Sequence, residues 1–211
     1  ATNMTKIIEE ELKKCMLCKR MKATKNKPRR SIDHIGKIRP FTYWHIDHVG
    51  MMPTSEEGYK WILTIADAMT GWVQFYPTKT KTAEEAARVF MAKIIPIYLI
   101  PKRITSDGGL ASEVVRRVYD TLGIESVITA PFNPQGNSVA ERRHVELKQG
   151  LQIGLLGKQK QWTSHLEQIA MANNISPDNR TGLSPFEIGF GYKPIVPNEI
   201  LLNQATWAAA R

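Results

Sequence analysis

Three short apolar segments follow one another between residues 43 and 76, and a short turn separates each from the next. They cover residues 43–49, 59–66 and 72–76. Aromatic and β-branched residues dominate all three, which is typical of β-strands. Because the connections are short, consecutive strands have to run antiparallel. The sequence therefore predicts a three-stranded antiparallel meander, which restricts the chain to folds that begin on such a sheet.

Helical spacing replaces strand spacing after this meander. Thr82 precedes Glu85 by three residues, which is the spacing of a capping box and predicts the start of a helix. The predicted elements from there are helix 83–95, strand 103–106, helix 112–122, strand 125–129, and helices 138–156 and 163–172. This order predicts an α/β domain with a five-stranded mixed sheet flanked by helices, which is the order of an RNase H-like fold.

Positive charge is concentrated in an N-terminal arm. Residues 1–40 contain twelve Lys and Arg and four acidic residues, so they carry eight of the nine net positive charges. The segment 19–30 is too polar to pack in a core, and its basic side chains can neutralise phosphates. Charge alone favours a nucleic-acid-binding arm and a solvated linker equally. The candidates for DNA contact in this arm are Lys27, Arg29 and Arg30.

Cys15 and Cys18 are the only cysteines, in the arrangement Cys-x-x-Cys. Such a pair is half of a zinc site, a redox pair, or without function. The strand context of a redox motif is missing, and a structural zinc site needs four ligands. His45 and His48 flank Asp47, but strand alternation places them on opposite faces, so they predict no joint zinc site. We interpret the cysteines as half of a zinc site whose other ligands lie upstream in a longer parent protein.

Three acidic residues stand at positions that the predicted sheet would bring together. Asp47 lies in the first strand, and Asp107 follows the fourth strand directly, before two glycines. If these two strands pair, the aspartates lie side by side, and Glu141 in the first turns of the long helix reaches the same edge. Carboxylates suit Mg²⁺ and Mn²⁺, which assist phosphoryl transfer. The trio therefore indicates a metal-dependent site, whereas Asp67 is expected only to end a strand.

Short motifs stand in a fixed order along nearly the whole chain. The first acid lies in W-H-I-D-H-V-G at 44–50, the second in I-T-S-D-G-G at 104–109, and N-P-Q-G-N at 133–137 leads to Glu141. Further blocks lie at 59–63, 70–72, 75–79, 122–124, 181–188 and 191–194. This series resembles the integrases of retroviruses and Ty3/gypsy-like retrotransposons, and Cys15 and Cys18 fit the second half of their His-His-Cys-Cys zinc module.

The resemblance implies an RNase H-like catalytic core in which Asp47, Asp107 and Glu141 are the metal-binding triad for two Mg²⁺ or Mn²⁺ ions. The implied activity is that of a polynucleotidyl transferase. Water first trims the 3′ ends of the element DNA, and each 3′-hydroxyl then attacks a target phosphodiester. Integrase cores of this kind associate as homo-oligomers on DNA, so element ends, target DNA and further copies of the chain are the expected partners.

Several polar residues near Glu141 are candidates for DNA contact. Lys148 lies seven residues after Glu141, two helical turns along the same face, where it can reach element-end phosphates. Arg142 and Arg143 are candidates as well, with solvation or pairing with Glu146 as the alternative. The candidates in the loop before the helix are Asn133, Gln135 and Asn137, and for Asn137 simple turn chemistry is at least as good an explanation.

The predicted organisation has four parts. They are the C-terminal half of a zinc-binding module at 1–22, a basic linker at 23–40, the catalytic core at 41–194 and a tail at 195–211. Zinc is expected only if the missing ligands are present in the parent polyprotein. No apolar run reaches the length of a membrane span and no secretory signal opens the chain. We therefore expect a protein that does not enter membranes. We expect it to be nuclear or otherwise intracellular, and to be carried in the virion or virus-like particle of the parent element.

Two alternatives compete with an active strand transferase. Asp107 and Glu141 have 33 residues between them, two fewer than is usual in the family, and the shortening falls at residues 108–112. This favours a domesticated or decayed integrase that binds nucleic acid or protein without catalysis, whereas the intact acidic trio favours activity. An RNase H-like nuclease or transposase is the third possibility, against which the cysteine pair and the motif blocks at 133–137 and 181–187 argue.

Overall fold

A five-stranded mixed sheet forms the centre of the structure, a computed structural model that describes residues 39–129, 138–154, 159–178 and 181–195. In the order β3-β2-β1-β4-β5, the strands are β1 (Tyr43–Val49), β2 (Trp61–Asp67), β3 (Val73–Thr78), β4 (Arg103–Ser106) and β5 (Glu125–Ile128). The first three strands are antiparallel, whereas β4 runs parallel to both β1 and β5. The predicted meander and the mixed sheet are confirmed.

Helices cover both faces of this sheet. They are α1 (Ala83–Lys93), α2 (Ile95–Tyr98), α3 (Glu113–Thr121), α4 (Ser138–Gly154), α5 (Leu166–Ile175) and α6 (Pro185–Phe190). Thr82 caps α1 as predicted, because its hydroxyl accepts a hydrogen bond from the Glu85 N–H. The predicted capping box is only half formed, since the Glu85 carboxylate accepts from the N–H groups of Lys79 and Thr80 instead of Thr82. Within the described ranges, no helix is long and apolar enough to cross a membrane.

The helix predicted over 163–172 is wrong in its start. Residues Gln159–His165 form a 3-10 segment, and α5 begins only at Leu166. The cause is tertiary, since the indole of Trp162 is fully buried and donates to the carbonyl oxygen of Pro53 at 2.8 Å. Periodicity along the sequence does not report such a distant anchor.

Side-chain alternation along β1 divides the core into two layers. Trp44 and Ile46 point into the layer that α1 and α3 cover, whereas Val49 belongs to the layer that contains Leu147 and Leu151 of α4. Asp47 alternates with Ile46 and therefore faces the α4 side. The sheet thus presents Asp47 to the helix that carries Glu141.

The outer edge of the sheet is closed by a side chain from α5. Asn174 is buried, and its amide both accepts from the Val73 N–H and donates to the Val73 carbonyl oxygen, each at 2.8 Å. The amide therefore occupies the position that a neighbouring strand would take beside β3. Pro77, four residues further along the same strand, has no N–H to offer at this edge.

Replacing Asn174 by Ala should lower the free energy of unfolding by about 2–4 kcal/mol, because it leaves a buried N–H and C=O of Val73 without partners. Urea denaturation followed by circular dichroism measures this change. Asn173→Ala is the matched control, since the neighbouring amide has a buried nitrogen without a hydrogen-bond partner. Equal losses in the two variants would contradict the role assigned to Asn174.

Candidate active site

The parallel pairing of β1 with β4 brings two of the three predicted acids together. Ile46 is the register partner of Ser106 at the end of β4. Asp47 and Asp107 are the next residues along these two strands, so they occupy adjacent positions at one edge of the sheet. The sequence predicted this arrangement on the condition that the first and fourth strands pair, and they do.

The two carboxylates differ in their surroundings. Oδ1 of Asp47 accepts a hydrogen bond from the His48 N–H at 2.7 Å, and the side chain is 19% exposed. Asp107 is exposed and stands in extended conformation before the 3-10 turn Gly108–Leu110. A Cβ atom at Gly109 would contact both carboxylate oxygens of Asp107, at 3.4 and 3.5 Å. These are ordinary van der Waals distances, and the carboxylate is accessible because Asp107 itself is exposed.

Helix α4 packs against β1 and β2 on the Asp47 side of the sheet. Glu141 lies in its first turn, although its side chain is outside the described residues. One turn further, His144 places Nε2 at 4.0 Å from Oδ2 of Asp47. Burial lowers the pKa of His144 to about 4, and the nearby Lys148 ammonium acts in the same direction. The imidazole is therefore neutral at pH 7.

His48 and Asp67 have other surroundings. His48 faces the opposite layer, where burial lowers its pKa to about 4 although the Asp107 and Glu85 carboxylates oppose the shift. Asp67 is fully buried and ends β2 as expected, with Oδ2 accepting from both the N–H and the hydroxyl of Thr70 at 2.8 Å. Burial raises the pKa of Asp67 against these hydrogen bonds. Its role is structural.

Among the described side chains, no group of three or more His, Cys, Asp or Glu residues has a metal-holding arrangement. Asp47 and Asp107 nevertheless supply two hard oxygen ligands at adjacent strand positions, which is the donor type that Mg²⁺ and Mn²⁺ prefer. The side chain of Glu141, the predicted third ligand, is not among those described.

The basic candidates on α4 separate into two kinds. Lys148 is exposed, as a phosphate contact requires. Arg143 is 11% exposed and pairs with Glu146 at 2.6 Å, so the structure favours the pairing alternative over DNA contact. The Arg143 guanidinium also lies so close to Gly71 that a side chain there would overlap it. The side chain of Arg142 is outside the described residues.

Two lysines that the sequence reasoning missed lie at the same edge of the sheet. Nζ of Lys79 lies 5.9 Å from the ring centroid of Tyr59, and Nζ of Lys81 lies 5.2 Å from that of Trp61. The start of β2 and the end of β3, which these residues flank, adjoin the end of β1. The basic run directly after the third strand was the available signal.

The remaining predicted site residues lie outside the described residues, and their roles stay predictions. In the N-terminal arm and the loop before α4 these are Cys15, Cys18, Lys27, Arg29, Arg30, Asn133, Gln135 and Asn137. The same holds for zinc binding and for the domain boundaries proposed before residue 39.

Solved structures with the same fold include integrase catalytic cores. The core domain of BIV integrase has a TM-score of 0.56 and 22% identity, covering 71% of this chain and 94% of that one. The HTLV-2 integrase core in complex with magnesium, in a trimeric form, has a TM-score of 0.58 and 19% identity, covering 72% and 98%. A chain of a simian T-cell lymphotropic virus intasome in complex with the PP2A regulatory subunit B56 gamma has a TM-score of 0.65 and 19% identity, covering 87% of this chain and 66% of that one. The five-stranded sheet and its helices are thus the RNase H-like fold of these cores.

Curated relatives add the sequence relationship. The chain is 33% identical over 200 residues to the Pol polyprotein of feline endogenous virus ECE1 and 32% identical over 200 residues to the Gag-Pol polyprotein of baboon endogenous virus, covering 93% of this chain in both cases. It spans only 19% and 11% of the length of these polyproteins. No protein-family model matches the chain. By sequence the chain is a relative of part of the retroviral Pol and Gag-Pol polyproteins, and its fold is that of the retroviral integrase catalytic cores.

The contact of Arg143 with Gly71 predicts a position-specific cost. Gly71 and Gly58 both have positive φ, at +74° and +85°, but a Cβ atom at Gly58 meets nothing within 4 Å. Gly58→Ala should therefore cost about 1 kcal/mol of backbone strain. Gly71→Ala should cost up to about 1 kcal/mol more, because its methyl group has to displace Nη2 of Arg143, the far end of a long flexible side chain. Urea denaturation of both variants measures the difference, and equal losses would contradict the contact.

Proposed function

We propose that this chain catalyses the divalent-metal-dependent joining of element-end DNA to target DNA, as an integrase core. One observation carries the proposal: the pairing of β1 with β4 leaves Asp47 and Asp107 at adjacent positions on one sheet edge. Glu141 begins the helix that packs against β1 and β2. We infer that these three acids are the metal ligands of the reaction.

The surroundings of the carboxylates support this assignment. The His48 N–H holds Oδ1 of Asp47 by a 2.7 Å hydrogen bond, which restricts rotation of the carboxylate. Asp107 is exposed, so that substrate and ions can approach it. Two Mg²⁺ or Mn²⁺ ions, when bound, supply positive charge at the attacking and leaving oxygens. The magnesium complex of the similar HTLV-2 core supports the choice of ion.

The proposed reaction has two steps of the same chemical type. Water first cleaves a phosphodiester near each 3′ end of the element DNA, and the freed 3′-hydroxyl then attacks a phosphodiester of the target. In each step one P–O bond forms and one breaks, so no cofactor beyond the ions is required. We infer that Asp47, Asp107 and Glu141 serve both steps, with the chain acting as a homo-oligomer on DNA. The similar cores in an intasome and in a trimeric form support this assembly.

The short spacing between Asp107 and Glu141 is compatible with activity. Residues 108–112, to which the shortening was assigned, contain a closed turn in which the Leu110 N–H donates to the Asp107 carbonyl oxygen and the Ala111 N–H to that of Gly108. This turn leads directly to α3 at Glu113. Asp107 directly follows β4, which supports the proposed activity.

DNA is the proposed macromolecular partner of this edge. Lys148 on α4 is exposed, and Lys81 lies over Trp61 at the adjoining end of β2. Exposed lysines on both sides of the two aspartates can neutralise phosphates of a strand that crosses the site. A decayed integrase would keep this DNA-binding surface and would lose only the DNA-joining activity.

Replacing any one of the three acids by its amide should abolish joining. We expect Asp47→Asn, Asp107→Asn and Glu141→Gln each to lower the rate by about a hundredfold or more, because each removes a ligand charge from the ions. The measurement is a strand-transfer and disintegration assay on short DNA duplexes with Mg²⁺ or Mn²⁺.

Asp120→Asn is the matched control for these variants. Asp120 is an exposed carboxylate on α3 that makes a weak 3.8 Å pair with Arg116, so its loss should leave joining unchanged. Metal-dependent joining that survives in Asp47→Asn would refute the assignment of the ligands. Absence of joining in the unaltered chain, with DNA binding and fold intact, would favour the decayed integrase.

Lys148→Ala and Lys81→Ala should each weaken DNA binding uniformly across sequences. Each change removes one phosphate contact, so the slope of log K against log salt should fall by roughly 1. Fluorescence anisotropy on a labelled duplex at several salt concentrations measures this slope. The control is Lys93→Ala at the far end of α1, and the same change of slope there would show that the effect is not specific to this edge.

A further inference from the structure

His144 carries a buried nitrogen whose surroundings call for an explanation. Its Nε2 atom makes no hydrogen bond, although buried polar atoms are usually paired. Several other buried polar atoms in the described residues are in the same situation. Nε2 of His144 faces Oδ2 of Asp47 at 4.0 Å, beyond hydrogen-bond range.

We propose that Nε2 of His144 is a nitrogen ligand of the metal ion held by Asp47, in addition to the carboxylates. This inference rests on the metal-dependent function proposed above. It gives the site a mixed oxygen and nitrogen ligand set. An imidazole in this set favours Mn²⁺ over Mg²⁺, since Mg²⁺ prefers oxygen ligands while nitrogen ligands suit the later transition metals increasingly well.

The distance between the two atoms suits a shared ion. Nε2 of His144 and Oδ2 of Asp47 are 4.0 Å apart. Neighbouring ligands of an octahedral ion with bonds of about 2.0–2.1 Å lie closer together than this, so a small movement of either side chain would bring both atoms to one ion.

The position of His144 on α4 is fixed by packing. Leu147 and Leu151 of the same helix are buried in the core layer beneath it. Arg143, the preceding residue, is held between Glu146 and Gly71. His144 stands three residues after Glu141, so the two residues are neighbours along one face of the helix. The packing of the helix therefore keeps the imidazole beside Asp47, whereas a histidine on the protein surface would be free to move away.

The alternative is that His144 serves only as a buried neighbour of Asp47, without a bond to metal. Electron spin-echo envelope modulation of bound Mn²⁺ separates the two cases, because a directly bound imidazole nitrogen produces a characteristic coupling. The samples are the full chain without a polyhistidine tag, labelled either with ordinary or with ¹⁵N-histidine. Mn²⁺ is added below the protein concentration.

We expect nitrogen coupling in the unaltered chain, and a change in this coupling on ¹⁵N-histidine labelling. This comparison needs no substitution, so it does not depend on the folding of a variant. His144→Gln should lose the coupling, whereas His165→Gln should retain it. His165 is the matched control, because it is a half-buried histidine that lies in the 3-10 segment Gln159–His165 and contacts none of the proposed ligands.

Affinities provide a second measurement. Calorimetric titration of His144→Gln should show about a tenfold loss of Mn²⁺ affinity and a change of less than about twofold for Mg²⁺. Bound Mn²⁺ that shows no nitrogen coupling, but is lost in Asp47→Asn, would overturn the role of His144 while leaving the carboxylate site intact. Mn²⁺ binding that is unaffected by Asp47→Asn and Glu141→Gln would overturn the proposed metal site itself, and His144 with it.

Discussion

The parallel pairing of β1 with β4 is the constraint on which the site depends. Hydrogen bonds between these strands set the register of Ile46 with Ser106, and this register decides that Asp47 and Asp107 leave the sheet side by side. A slip of one residue would turn Asp47 to the opposite layer, because side chains alternate along a strand. The buried Trp44 and Ile46 oppose such a slip, since it would move both out of the core.

Helix α4 connects this sheet edge to the rest of the site. Leu147 and Leu151 seat the helix on the sheet, and the pair of Arg143 with Glu146 packs against the turn at Gly71. The same seating brings His144 to Asp47. Residues outside the proposed chemistry therefore decide which residues can take part in it, and the pairing of Arg143 with Glu146 is one example.

The chain is related to one part of the retroviral polyproteins. It covers about a fifth or less of the similar Pol and Gag-Pol polyproteins, in agreement with the fold of a single catalytic core. A closed turn directly follows Asp107, in which the Leu110 N–H donates to the Asp107 carbonyl oxygen. His144 beside Asp47 gives this chain a ligand chemistry that the acidic trio alone does not describe.

Alternation, capping and motif order were local signals, so the sequence by itself determined the strands, helix α1 with its Thr82 cap, and the candidates Asp47, Asp107 and Glu141. Other features depend on contacts between residues distant along the chain, which periodicity does not contain. The start of α5 follows from the anchoring of Trp162 on Pro53. Burial of Arg143, closure of the β3 edge by Asn174 and the approach of His144 to Asp47 were likewise decided by the tertiary structure, because packing brings together groups that the sequence keeps apart.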